Sequence, residues 1–260
     1  MHDEYLEKLM RSKNYRDVCP DAICRIWSEC EAKYKKVKDV DKAVREALHG
    51  ISGAFMTPQE ASQLGYDMHA WHISRSDVDL DRMLSRHAST RERLPLAEID
   101  ALYERIFATT GRPRSVLDLA CGINPIYLGA RGIETTGIDM SGAAVYAVNC
   151  FHESYGMPVS AVCADLLRPG AIPGVRFDAA LMLKLLPLME RQREGAAARA
   201  MDAVNAQWLV VSFPTRTLGG RNVGMAASYS QWMQAHVLSK KTIVDSFEVK
   251  NELFYILKEK

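Results

Sequence analysis

Three aspartates make the first chemical suggestion in this 260-residue chain. Asp118 lies within Val116-Leu117-Asp118-Leu119-Ala120, while Asp139 and Asp165 follow the short apolar runs 134–138 and 159–163. Runs of this length, rich in strand formers and bounded by turn residues, read as strands. A carboxylate at the end of such a strand can accept hydrogen bonds from both hydroxyls of a ribose, and one on the next strand can reach the amino group of a purine. The first run ends in a tight corner, Ala120-Cys121-Gly122. Asn124-Pro125 then reads as a helix start, with Asn as cap and Pro at the first helical position. Such a corner turns bare backbone and helix N–H groups toward a ligand. It has one glycine and no G-x-G-x-x-G, less room than a pyrophosphate wants, so it suits a nucleoside cofactor without phosphate. Asp118, Ala120, Gly122, Asp139 and Asp165 are the candidate cofactor residues on this reading.

Two further stretches could meet a reaction partner. Lys184 interrupts the apolar stretch 179–189, and a buried unpaired ammonium is costly, so it either snorkels to the surface or faces a polar pocket. After Ser212-Phe213-Pro214 comes a loop with Gly219, Gly220 and Gly224, in which Arg216 and Arg221 offer two planar cationic forks suited to phosphate or a guanine edge.

These residues must be positioned by a change of pattern near residue 111. Beyond it, apolar runs at 115–120, 134–138, 159–163, 177–183 and 208–213 alternate with helical stretches, which predicts a doubly wound, mostly parallel α/β sheet. The last two runs, 243–250 and 252–258, are too close for a crossover helix and predict an antiparallel hairpin at one edge. This plan resembles the class I S-adenosylmethionine-dependent methyltransferase fold, Rossmann-like, more than a dinucleotide dehydrogenase. A nicotinamide-dependent oxidoreductase is disfavoured by the single-glycine corner.

Before residue 108 the apolar spacing is helical throughout. Ile23, Ile26, Trp27, Cys30 and Tyr34 share one face of a helix expected to start with Asp21 as N-cap. Thr57-Pro58-Gln59-Glu60 is a capping box after a break at Gly50 to Gly53. Ser89-Thr90-Arg91-Glu92 repeats the box, and Pro95 marks a kink or restart before the stripe Leu96, Ile99, Leu102, Ile106. Residues 8–45 hold eleven Lys/Arg against six Asp/Glu, a local excess that reads either as a solvated face or as a phosphate-contacting patch. The whole chain has a formal charge of only +1, so any nucleic-acid contact must rest on such local clusters. The six cysteines form no C-x-x-C or Cys/His knuckle, so neither a zinc site nor a disulfide framework is expected. No stretch is long and apolar enough to span a bilayer, and a cytoplasmic protein is expected.

The resemblance then becomes specific. Tyr15-Arg16-Asp17-Val18-Cys19-Pro20-Asp21, Leu48-His49-Gly50-Ile51-Ser52-Gly53-Ala54, His87-Ala88-Ser89-Thr90-Arg91-Glu92-Arg93-Leu94, the corner after Asp118, Lys184 to Arg191, and Ser212 to Arg221 occur in order along the chain. Together they resemble the aminoglycoside-resistance methyltransferases that modify guanine 1405 of 16S rRNA at ring nitrogen 7. The chain departs from several of them at Met225-Ala226, where they have Met-Glu.

The resemblance implies S-adenosylmethionine as cofactor. It implies that Arg93, in a motif with His87, Ser89 and Thr90, binds the methionine carboxylate, and that Gly122 lies against the methionine portion. Asp139 then holds the ribose, and Asp165 with Leu166 holds adenine. Lys184, Glu190 and Arg221 are implied around the target guanine or its phosphates, in a direct in-line displacement that needs no general base. Residues 1–108 become an extension that binds 16S rRNA in the assembled 30S subunit, and 109–260 the methyltransferase domain. No metal, membrane or obligate protein partner is implied, and the protein is expected to be a monomer. Two alternatives stay open: a small-molecule methyltransferase of the same fold, and a non-catalytic ribosome-binding protein on that scaffold.

Overall fold

The apolar runs beyond residue 111 become the strands of one seven-stranded sheet: β1 (Ser115–Leu119), β2 (Glu134–Asp139), β3 (Val159–Cys163), β4 (Phe177–Leu183), β5 (Ala206–Pro214), β6 (Lys241–Val249) and β7 (Glu252–Glu259). The computed structural model describes residues 2–52, 55–215, 225–236 and 241–260. The spatial order is β3-β2-β1-β4-β5-β7-β6. The first five strands pair in parallel, β7 runs antiparallel to β5, and β6 and β7 form the expected antiparallel hairpin. Leu117 pairs with Thr136 of β2 on one side and Ala180 of β4 on the other, so β1 sits where the chain reverses its direction of travel across the sheet. Open α/β sheets bind ligands outside the carboxyl ends of the strands at such a switch point.

Helices α1 (His2–Met10), α2 (Pro20–Glu31), α3 (Val37–Ser52), α4 (Pro58–Ser74), α5 (Asp77–Leu84), α6 (Ala88–Arg91) and α7 (Leu96–Thr110) precede the sheet. Within it run α8 (Asn124–Ala130), α9 (Gly142–Tyr155), α10 (Leu186–Gln192), α11 (Ala196–Ala203) and α12 (Met225–His236). The helical third divides between two cores. Leu9, Ile23, Ile26, Trp27, Val40, Val44 and Leu48 pack α1–α3 on one another. Leu64, Met68, Trp71, Leu80, Met83, Ile99 and Leu102, from α4, α5 and α7, instead join the core on one face of the sheet with Phe151 and Ile126. The opposite face is covered by α10 and α11, with Met233 of α12.

Four local expectations are corrected. Helix α2 begins two residues earlier than expected: Cys19 is its N-cap, Pro20 opens it, and Asp21 lies in the first turn, where it pairs with Arg168 rather than capping. Gly50 does not interrupt α3, which runs to Ser52. The Thr57 box forms as expected, but Ser89 caps nothing: His87 is the N-cap of α6, its Nδ1 accepting from the Ser89 N–H at 3.3 Å. Asn124 is the first residue of α8 and not its cap, because its side chain is held elsewhere. Its Nδ2 donates to Asp118 at 2.7 Å, and its Oδ1 accepts from Tyr103 at 3.0 Å. At Pro95 the chain restarts, as the N-cap of α7.

Candidate active site

The corners that follow β1 and β4, the two strands at the switch point, have the same backbone signature. Ala120 has φ +56° and Lys184 φ +57°, left-handed values that non-glycine residues adopt at a cost and that gather at functional sites. Lys184 is held in place by its N–H, which donates to Ser212 Oγ at 3.0 Å and to the Ser212 carbonyl at 3.1 Å. Between these corners and the N-terminal helices opens a cavity of about 700 Å³, within the usual range for cofactor pockets.

Asp139 is at the cavity edge, and its carboxylate ties the first corner to the second strand. Oδ2 accepts from Gly122 N–H and Oδ1 from Ser141 N–H, both at 2.8 Å. Burial raises its pKa above the ordinary carboxylate range, and these backbone donors only partly offset the shift. Asp165, 6% exposed, faces Arg25 of α2: Arg25 Nε donates to Oδ2 at 2.5 Å, and the Leu167 N–H donates to Oδ1 at 3.1 Å.

Across the cavity Arg93 makes a two-pronged pair with Glu252, Nε to Oε2 at 3.1 Å and a terminal nitrogen to Oε1 at 2.8 Å. Both side chains are under a tenth exposed. Burial pushes the Glu252 carboxyl up, but Arg93 and Lys184 outweigh it and hold it below its ordinary value. Lys184 Nζ lies 3.5 Å from Glu252 Oε2 and also donates to Glu92. The His87 ring, stacked on Phe55, is wedged under the β1 corner. Burial, reinforced by Arg91 and Arg93, lowers its pKa to about 4, so the ring is neutral at physiological pH. A Cβ on Gly122, whose φ is +51°, would come within 2.5 Å of that ring, so glycine is required there.

Of the expected site residues, His87, Ser89, Arg93, Ala120, Asp139, Asp165, Leu166 and Lys184 all line this one cavity. Thr90, Asp118, Gly122 and Glu190 stand behind its walls. The Thr90 hydroxyl donates to the carbonyls of Leu84 and His87. Asp118 is buried against Asn124, and burial, against the pull of Asn124 and Arg93, pushes its carboxyl up to about 7. Gly122 contributes its N–H to Asp139. Glu190 caps the next helix, accepting from Gly195 N–H at 2.6 Å and Ala197 N–H at 3.2 Å. Arg216 and Arg221 lie outside the described residues.

Sequence reasoning missed Arg25, Glu92 and Glu252, which neutralise or hold the expected residues. Their partners are far along the chain. Only the charge of Glu252, at the head of the apolar run Leu253 to Leu257, hinted at a special environment.

The cavity combines paired charges with apolar wall. Arg25, Arg93 and Lys184 already face carboxylates, Asp139 presents an acceptor at the second strand, and Leu166, Leu188 and Met140 supply apolar wall. An acceptor at the end of β2 beside apolar wall fits a nucleoside cofactor.

Comparison with known proteins gives this geometry a family. The model of the ribosomal RNA methyltransferase (FmrO) family matches residues 11–256. A 16S rRNA (guanine(1405)-N(7))-methyltransferase of Serratia marcescens is 38% identical over 258 residues, 99% of this chain and 98% of that protein. One from Frankia casuarinae is 33% identical, covering 98% of this chain and 93% of its own. The crystal structure of the 16S rRNA methyltransferase RmtF in complex with S-adenosyl-L-homocysteine superimposes with a TM-score of 0.90 at 41% identity, covering 100% of this chain and 98% of that one. The 16S rRNA methylase RmtB gives 0.87 at 34% identity, covering 100% and 99%. The fold is therefore the expected class I methyltransferase fold preceded by helices. On the match along almost its whole length, the chain belongs to the FmrO family of ribosomal RNA methyltransferases.

Proposed function

We propose that this enzyme methylates ring nitrogen 7 of guanine 1405 of 16S rRNA in the assembled 30S subunit and so confers aminoglycoside resistance. The observation that supports it most strongly is one cavity at the switch point gathering the cofactor and lysine positions of a chain whose full-length relatives are named for that reaction. The methyl donor is S-adenosylmethionine, which when bound supplies an electrophilic methyl group on a sulfonium.

The chain's own residues position rather than activate. Asp139 accepts from the ribose hydroxyls, Asp165 and Leu166 bracket adenine, and Arg93 reads the methionine carboxylate from its place beside Glu252. Guanine nitrogen 7 has a free lone pair, so no side chain has to remove a proton. What remains is to hold the base out of its helix, facing the methyl group. Lys184 donates to the guanine oxygen or a neighbouring phosphate, a part the family resemblance gives to Arg221 as well. Glu190 acts from behind, by fixing the turn into α11. Residues 1–108 form the extension that docks on the subunit through the basic surface of 8–45, and 109–260 form the methyltransferase domain. The protein works as a cytoplasmic monomer.

The test is transfer of a labelled methyl group from S-adenosylmethionine to purified 30S subunits and to free 16S rRNA. Label in the subunits supports the proposal. Methylation of small molecules alone, or no transfer with cofactor bound, contradicts it.

A further inference from the structure

The helix α2 faces two ways. Ile23, Ile26 and Trp27 seal the core of α1–α3, while Asp21, Arg25 and Glu29, spaced four residues apart, form one stripe on the methyltransferase body. Asp21 pairs with Arg168, Arg25 with Asp165, and Glu29 with Arg193 at 2.8 Å. The segment just before α2 is also stitched to the sheet. Cys19 N–H donates to the Met140 carbonyl at 2.8 Å, Gly142 N–H donates to the Asp17 carbonyl at 2.5 Å, and Val18 bridges Ser141. The loops that follow both strand-end acids, Asp139 and Asp165, are thus gripped by the same N-terminal segment.

Arg25 is the centre of that grip. Only 11% of its side chain is exposed, and its three nitrogens are all used: Nε on Asp165 Oδ2, one terminal nitrogen on Glu29 at 3.2 Å, the other on Gln192 of α10 at 3.0 Å. It lines the cavity itself. A nearly buried carboxylate left without this fork would turn toward water and lose its aim at the base.

We propose that Arg25 is a positioning residue for the adenine end of the cofactor, holding Asp165 from the helical extension, so that cofactor affinity depends on α2 being seated. The inference rests on the reading of this cavity as the S-adenosylmethionine site. By linkage, the cofactor then favours the seated α2 by the same factor. The segment expected to dock on the subunit is therefore prepared by the cofactor it helps to hold.

The test is calorimetric titration of S-adenosylhomocysteine into the full-length protein, its Arg25→Ala, Arg25→Lys and Asp165→Asn variants, and the Arg25→Ala/Asp165→Asn double variant. Loss of a buried charge-assisted pair predicts affinity weakened by about tenfold or more in Arg25→Ala. Arg25→Lys, which keeps the charge but not the fork, should fall in between. Arg25→Ala should add nothing once Asp165→Asn is present. The KM for cofactor rises in Arg25→Ala by a larger factor than kcat at saturating cofactor falls.

Wild-type affinity in Arg25→Ala, or in Arg25→Lys if Arg25→Ala does not fold, overturns the proposal. So do multiplying effects in the double variant, or a rise in the subunit KM in place of the cofactor KM. Amide exchange adds a second readout: S-adenosylhomocysteine slows exchange across α2 in the wild type, and unchanged exchange there overturns the coupling. Failure of the wild type to bind S-adenosylhomocysteine strikes the cofactor reading instead.

Discussion

Arg93 and Glu252 are 159 residues apart in the chain and meet in a two-pronged ion pair at 2.8 and 3.1 Å beside the β4 corner. One comes from the segment between α6 and α7 and the other from the first residue of β7, so the pair locks the helical region to the antiparallel edge of the sheet. Both groups are buried, and removing one partner leaves an uncompensated charge, a loss of about 3–5 kcal/mol. Glu252→Ala should therefore lower unfolding stability by that order in urea denaturation. The Arg93→Ala/Glu252→Ala double variant should lose less than the sum of the single losses.

Gly122→Ala tests the fit of the β1 corner. Alanine at φ +51° adds backbone strain, and its Cβ would come within 2.5 Å of the His87 ring. Together these predict a loss of about 3 kcal/mol. His87→Ala in the same chain should recover part of it by opening the space. A fully stable Gly122→Ala protein in thermal or urea unfolding would contradict the packing described.

His87 also predicts a pH signature. Its folded pKa of about 4 lies below its unfolded value, so the unfolded chain binds the proton first. Its contribution is intact above about pH 6.5, falls as the pH drops toward 4, and amounts to roughly 3 kcal/mol over that window. Asp118 acts in the opposite sense, because its pKa is raised to about 7 and its burial costs stability as the pH rises. The informative quantity is the difference between variants. His87→Gln should lose less stability than the wild type between pH 7.5 and 5, by about 2 kcal/mol in urea denaturation. Equal slopes would contradict a neutral, buried His87.

Much of this was legible in the sequence because it depends on local pattern. Alternating strands and helices predicted the sheet and its terminal hairpin, and the ends of the second and third strands placed Asp139 and Asp165 within a residue or two. What local pattern could not show was competition for side chains. Asn124 looked like a cap until buried Asp118 claimed its amide, and Ser89 looked like a cap until His87 took the position. Glu252 and Arg25 were silent for a related reason, since their partners come from remote parts of the chain.

Glu190 separates two roles that the sequence alone could not. Its carboxylate spans two N–H groups at the start of α11. Glu190→Gln should cost about 1 kcal/mol in stability while leaving S-adenosylhomocysteine affinity unchanged, as read by denaturation and calorimetry. A weakened affinity without loss of stability would contradict the capping role.

Lys184→Ala should act on the reaction and not on cofactor binding. Its ammonium sits at the cavity beside Glu92 and Glu252, on a corner that β5 holds through Ser212. Methyl transfer to subunits should fall by about a hundredfold, the usual scale for a lost electrostatic donor, with calorimetric cofactor affinity within twofold. Wild-type rates would remove Lys184 from the substrate side.

Methyl transfer to intact 30S subunits, followed by mapping of the modified nucleotide, decides what this enzyme modifies. A single new methyl group is expected on nitrogen 7 of guanine 1405 of 16S rRNA. Methylation at any other base or atom, or none by a protein that binds S-adenosylmethionine, would contradict it.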